Sequence, residues 1–196
     1  MSDPIILGID PGIAGTGIAV LRLGRKIEVV ELASVRTLPT PRKARLRQAD
    51  DDATRLRVII AAIADTIDRH KPILIAYETP VGSKGVRAAK SLAYVIGSVV
   101  TMAFQRDIAA MSVLPAEAKV VAAGSKTASK AEVGEALIGR FALDDLIPVA
   151  KVDREHALDA LAVALVARES ELVVALVRYA AQSARGLLHV VEGGEP

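Results

Sequence analysis

The sequence predicts a mixed α/β fold: a five-stranded sheet, three antiparallel strands and then two parallel ones, flanked by helices. Three observations support this. Short apolar runs at residues 5–9, 18–23 and 27–32 are separated by a glycine-rich turn and by Gly24, Arg25 and Lys26, connections too short for a helix, so the runs join as antiparallel neighbours. Two later apolar runs, 73–77 and 108–113, each follow a long stretch of helical periodicity, and a strand reached through a helix returns parallel to its neighbour. Beyond residue 113 every patterned segment is helical.

Taken in order, residues 5–9 form the continuous apolar run of a strand covered on both faces. The stretch RTLPTPRKARLR, with Arg36, Arg42, Lys43, Arg45 and Arg47 around two prolines, reads as a basic connection able to neutralise phosphates, or else as a solvated linker. Asp50, Asp51 and Asp52 supply helix-start charges for a helix carrying Leu56, Ile59, Ile60, Ile63 and Ile67 and ending near His70. Residues 88–103 are helical, with Gly97 expected at a close-packing point, and a short helix runs from Pro115 to about Ala123. Ser129 and Glu132 form a capping box before Val133, Leu137 and Phe141. Asp153 is expected to cap an alanine-rich helix reaching about Arg168, and residues 171–182, with Leu172, Val173, Leu176 and Tyr179, form a last apolar helix. The expected organisation is one domain over residues 1–170, a helical extension of it over 171–190 and a flexible tail over 191–196.

Composition narrows the chemistry. A chain of 196 residues, 52% hydrophobic and 24% charged, can bury a sizeable core. The absence of cysteine excludes thiolate catalysis, disulfides and cysteine-based zinc sites, so any metal is expected to be held by oxygen or imidazole. The start MSDPIILGID lacks a basic n-region, and no later apolar run reads as a charge-free membrane span, which gives the expectation of a soluble cytoplasmic protein. A net charge of +2 argues only weakly for an anionic partner.

The chemistry concentrates in acids. If the first and fourth strands lie side by side and parallel, Asp10 and Glu78 both fall at their carboxyl ends, where open α/β sheets place a ligand crevice. Neighbouring carboxylates repel, so a proton or a cation must relieve them, and hard ions such as Mg²⁺ suit such a donor set. In DREHALDALAVAL, His156 and Asp159 share one helix face, while Ala157, Ala160 and Ala164 keep that helix thin enough to approach the sheet. A buried Asp159 needs a cation or a donor, and Arg154, five positions away, points elsewhere. Singly, each acid also suits a bland role: Asp10 starting a turn, Glu78 ending a strand at solvent, Asp159 on an exposed helix face. Their convergence on one sheet edge favours function. The stretch GIDPGIAGTG also resembles the first phosphate loop of the actin and sugar-kinase ATPases, but those need a second similar domain that this chain is too short to supply, so no nucleotide cofactor is expected.

Four motifs together, ILGIDPGIAGTG, IAYETP, PAEAKVVAAGSKTASKAEV and HALDALAVAL, resemble the RuvC-type Holliday junction resolvases of the ribonuclease H-like superfamily, in that family's order and over residues 5 to about 168. The resemblance implies a homodimer that binds branched DNA and nicks two strands of a four-way junction symmetrically with Mg²⁺ or Mn²⁺, two ions per site, leaving 5′-phosphates. It assigns the metal ligands and catalytic acids to Asp10, Glu78 and Asp159, with His156 at a further metal position. It matches Lys119 and Lys130 to two lysines near the cleavage site. Lys130 at a capped helix start is expected to help hold a phosphate. Lys126, Lys84, Arg87, Arg42, Lys43, Arg45 and Arg47 are the further expected DNA contacts. Val81 stands where many members carry an aromatic wedge, the basic connection is longer than usual, and residues after Glu171 extend beyond the core. Rival expectations are a non-catalytic junction or duplex binder with the same fold, and a related nuclease acting on RNA or branched forks.

Overall fold

The computed structural model describes residues 3–41, 44, 46–79, 82 and 85–192. Strands β1 (Ile5–Asp10), β2 (Gly15–Leu23) and β3 (Ile27–Arg36) open the chain, followed by α1 (Gln48–His70), β4 (Leu74–Glu78), α2 (Val86–Gln105) and β5 (Ala109–Val113). Helices α3 (Pro115–Ala123), α4 (Lys130–Arg140), α5 (Lys151–Glu169) and α6 (Glu171–Glu192) complete it. The sheet order is β3-β2-β1-β4-β5. β1 pairs antiparallel with β2 and parallel with β4, as the lengths of the connections require.

Strand parity decides what each face receives. Ile5, Leu7 and Ile9 of β1 and Ile75 of β4 pack with Ile59 and Ile63 of α1 and Val95 and Val99 of α2. The alternate residues Ile6, Leu74 and Ala76 face the other layer, centred on α5. Asp10 and Glu78 share the parity of Ile6 and Ala76, so the pleat turns both carboxylates to the α5 side.

Helix α5 lies almost entirely inside, with Ala157, Leu158 and residues 160–167 all buried. It comes this close because two strand positions beneath it, Gly8 and Gly17, carry no side chain. A Cβ at Gly8 would stand 2.8 Å from the Ala164 Cβ and closer still to the Ala160 carbonyl, and one at Gly17 would overlap the His156 carbonyl. Gly97, expected at a close contact, is instead on the exposed side of α2 with nothing within 4 Å of a Cβ. The interhelix approach uses alanines and strand glycines, and Gly97 has no part in it.

Other expectations are also revised. Asp153 does not cap α5; Ala150 occupies the cap position, and Asp153 sits in the first turn, 3.8 Å from Arg36. Asp50 and Asp51 stand in the first turn of α1 as expected, and Asp51 and Asp52 are in addition buried beside Arg55. α2 is long and apolar enough, by length and composition, to cross a membrane, although it carries Arg87 and Lys90 and so is not the charge-free span that the sequence was expected to lack. In this fold its Val95, Val99, Met102 and Ala103 cover the sheet, leaving Val86, Tyr94, Val100 and Phe104 outward. The last helix runs on to Glu192, past residue 182; of its expected apolar positions Val173 is buried and Tyr179 is exposed.

These contacts predict opposite outcomes for one substitution at two glycines. Gly17→Ala forces α5 off the sheet and lowers the unfolding free energy by about 3 kcal/mol. Gly97→Ala removes backbone freedom from an open helical site and raises it by about 0.5–1 kcal/mol. Denaturant titration of both variants checks the pair.

Candidate active site

Asp10 is the last residue of β1 and Glu78 the last of β4, so the parallel pairing of these strands sets the two carboxyl groups side by side at one sheet edge. His156 and Asp159, one helical turn apart near the start of α5, approach them from above. The β1–β2 turn permits this approach at Gly15, where a Cβ would lie 2.7 Å from His156 Nε2. Asp10, Glu78, His156 and Asp159, with Lys119 from α3 and Lys130 from α4, line one cavity of about 210 Å³.

Two direct contacts organise the acids. His156 Nδ1 lies 2.7 Å from Asp10 Oδ2, and Lys130 Nζ donates to Asp159 Oδ2 at 2.7 Å. Lys130 reaches that point because it is the first residue of α4, whose start is fixed by the expected capping box: Glu132 N donates to Ser129 Oγ, and Ser129 N donates to Glu132 Oε2 at 2.7 Å. The donor that a buried Asp159 requires is therefore Lys130. Arg154 turns away, donating to the carbonyls of Pro148 and Val149.

The titration behaviour follows from this crowding. Burial, and then the charges of Asp10 and Asp159, push the Glu78 carboxyl up to about 7, with Lys130 and Lys119 opposing. Burial also raises Asp159, outweighing its bond to Lys130. The hydrogen bond to Asp10 raises His156 against its own burial. For Lys130, burial favours the neutral amine, but the bond to Asp159 and the surrounding negative charge win, and its pKa rises. Three acids are thus held together with one imidazole and two ammonium groups as the only nearby relief named by these contacts.

The donor set of three carboxylates and an imidazole, without sulfur, matches a hard or borderline divalent cation. Among the described residues no three His, Asp or Glu side chains yet converge on a single ligation point. The physical reason is visible in the pairs: Lys130 and His156 hold Asp159 and Asp10 as counter-groups, while Glu78, without either contact, carries the raised pKa.

The remaining expected DNA contacts are dispersed. Lys126 lines a separate groove between α3 and the end of α5. Arg87 borders a second cavity of about 530 Å³ on the far side of His156 and bonds Gln48, and Arg47 precedes α1. Arg42, Lys43, Arg45, Lys84 and Val81 lie outside the described residues. A buried group with no place in the sequence-based expectations is Arg55; its sequence signal is its spacing of four and three from Asp51 and Asp52.

Glu78 sets a pH dependence. Its pKa in the fold lies above the ordinary value of 4.5, so the folded protein holds this proton more tightly than the unfolded chain, and stability from this group falls as pH rises from about 4.5 to about 7. His156, also raised, loses stabilisation in the same direction. The metal-free wild type and Glu78→Gln should melt at similar temperatures near about pH 5 and diverge by about pH 8, with the variant melting higher. Melting curves across that range, with His156 common to both proteins, isolate the Glu78 contribution.

Comparison with known proteins places this geometry. The family model described as Crossover junction endodeoxyribonuclease RuvC matches residues 6–167. A crossover junction endodeoxyribonuclease RuvC of Frankia alni is 33% identical over 82% of this chain and 75% of its own length. That of Salinibacter ruber is 32% identical over 82% of this chain and 83% of its own. The structure of Thermus thermophilus RuvC in complex with Holliday junction substrate superposes with a TM-score of 0.67 at 26% identity, covering 83% of this chain and 92% of that one. The yeast mitochondrial Holliday junction resolvase Ydc2, at 12% identity and TM-score 0.60, shares the fold. With the family model spanning all four acidic and imidazole positions of the cavity, the chain belongs to the RuvC family of crossover junction endodeoxyribonucleases.

Proposed function

We propose that this chain is a metal-dependent, structure-selective endonuclease that resolves four-way DNA junctions by paired symmetric nicks. The observation that carries the reading is the cavity in which Asp10, Glu78, Asp159 and His156, from three separate elements, meet beside Lys130. A protein that only bound DNA would gain nothing from three carboxylates set against phosphates, which argues against the binding-only alternative.

Divalent metal dependence is general in this family, and Asp10, Glu78, Asp159 and His156 are the residues that would hold the ions, Mg²⁺ or Mn²⁺ and two per site. When bound, such ions activate an attacking water and stabilise the leaving oxygen in an in-line phosphodiester displacement. The chain's own groups do the rest. Asp10 and Glu78 are fixed by their strand ends. His156, oriented through Nδ1 by Asp10, presents its other nitrogen towards the Gly15 turn, where it can ligate or orient water. Lys130 is held by Asp159 until that carboxylate is neutralised by other means, and its ammonium is then free to offset charge developing on the phosphate. Lys119, on the same wall, serves the phosphate less directly.

Lys126, Arg47 and Arg87, with Arg42, Lys43, Arg45 and Lys84, are assigned to phosphate contacts along the junction arms. With aromatics at 3% of the chain, recognition rests on shape and phosphates more than on stacking. Symmetric nicking requires two centres, and the outward apolar face of α2, with Val86, Tyr94, Val100 and Phe104, supports a homodimer.

Purified protein presented with labelled four-way, three-way, flap and linear DNA, with and without Mg²⁺, tests the proposal. Paired nicks should appear on the four-way substrate only when the metal is present. Asp10→Asn should lower cutting by roughly two orders of magnitude or more while junction affinity holds or improves, because a negative charge beside the phosphates is removed. Full cutting by that variant would refute the assignment.

A further inference from the structure

The turn that follows Asp10 is held from outside the cavity. Residues 11–14 lead into β2, and three successive carbonyls there accept hydrogen bonds. Gly12 O takes the Thr16 hydroxyl at 2.8 Å, and Ala14 O takes Thr37 N at 3.2 Å. Between them, Ile13 O takes both the Thr37 hydroxyl and, at 3.2 Å, Nη2 of Arg55. Arg55 reaches in from α1, only 8% exposed, and its Nε donates to Thr37 Oγ1 at 2.8 Å. One guanidinium and one hydroxyl thus close on a single carbonyl three residues after a proposed metal ligand.

The other edge of the guanidinium faces acids. Nη1 lies 3.8 Å from Asp51 and 3.9 Å from Asp52. Both carboxylates extend the network outward: Asp51 Oδ1 accepts Thr40 N at 2.8 Å in the basic connection, and Asp52 accepts Gln48 Nε2 at 2.7 Å and Ser91 Oγ of α2 at 3.3 Å. Burying one cation with two anions is costly wherever packed apolar residues would fill the space. That is a large outlay for fixing a surface turn, and it becomes intelligible if the turn's position matters to within a fraction of an ångström.

The turn's position does matter, since Gly15 leaves only the room of a missing Cβ against the His156 ring, so any drift of the turn displaces that imidazole and, through it, Asp10. We propose that Arg55, acting with Thr37, is a positioning residue for the nuclease centre: it fixes the turn after Asp10, keeps Asp10 and His156 in register, and ties that register to the basic connection and to α2. The inference rests on the nuclease reading of the cavity. The fork of arginine is needed because Nε meets Thr37, Nη2 meets Ile13 O and Nη1 faces the two acids, three separate nitrogens that a single ammonium cannot replace.

Two gentle variants test this without removing the buried charge. Arg55→Lys keeps a cation beside Asp51 and Asp52 but loses the fork, and Thr37→Val keeps the shape and all charges but loses the hydroxyl. Each is compared with wild type for melting temperature, four-way junction affinity in Ca²⁺, cutting rate at saturating junction and Mg²⁺, and Mn²⁺ binding by calorimetry without DNA. Both variants should stay folded and bind the junction within about twofold of wild type, while cutting falls about 10- to 100-fold and Mn²⁺ binding weakens about tenfold. Wild-type cutting and Mn²⁺ affinity in both folded variants would overturn the proposal, as would losses that only track the unfolded fraction. A wild-type protein that neither binds Mn²⁺ nor cuts would instead sink the nuclease reading itself.

Discussion

The structure depends on how closely one helix lies on two strands. Gly8 of β1 leaves room for Ala160 and Ala164, Gly17 of β2 leaves room for the His156 carbonyl, and α5 settles until backbone meets backbone. That contact brings His156 and Asp159 down onto the edge where β1 and β4 end. An ordinary interlayer spacing, with side chains on both surfaces, would hold α5 several ångströms higher and leave Asp10 without its imidazole. Packing density in the core and geometry in the site are therefore set by the same few small residues.

What the approach creates is an electrostatic problem that the chain answers only in part. Three carboxylates share a small cavity, two are held by Lys130 and His156, and the third, Glu78, has its pKa pushed up to about 7 by burial and its neighbours' charge. Folding stability is given up to keep the site in this condition, and the raised pKa of Glu78 measures that concession. A divalent cation would reverse the balance, since it favours every carboxylate in the ionised form and releases Lys130 for another partner. Lys130 is in this way the natural group to meet a phosphate once a metal has taken its place on Asp159.

Much of this was legible in the sequence because it depends on short-range rules. Strand lengths, the crossover through α1, the capping box at Ser129 and the i, i+3 pair at His156 and Asp159 are all read from spacing, and the parity of β1 and β4 then turns Asp10 and Glu78 to one side. The misreadings concern long-range partners. Gly97 looked like the close-packing glycine because it lies inside a helix, whereas the glycines that matter, Gly8 and Gly17, lie in strands, within an apolar run and at the end of a glycine-rich turn. Asp153 has the residue type of a cap, but the helix starts before it. Asp51 and Asp52 were legible as helix-start charges, but nothing local reveals that Arg55 returns to them while also reaching Thr37 and Ile13, 18 and 42 residues away in sequence. Partners at that separation are fixed by tertiary packing, and no period or motif in the chain records them.

The central claim is that the acids form one metal centre whose resting counter-ions are Lys130 and His156. Anomalous scattering from Mn²⁺-soaked crystals tests it most directly. The account requires strong density between Asp10, Glu78 and Asp159, within reach of His156, with the Lys130 ammonium displaced from Asp159. An empty cavity at saturating Mn²⁺, with the lysine still seated on Asp159 at its present 2.7 Å, would contradict it.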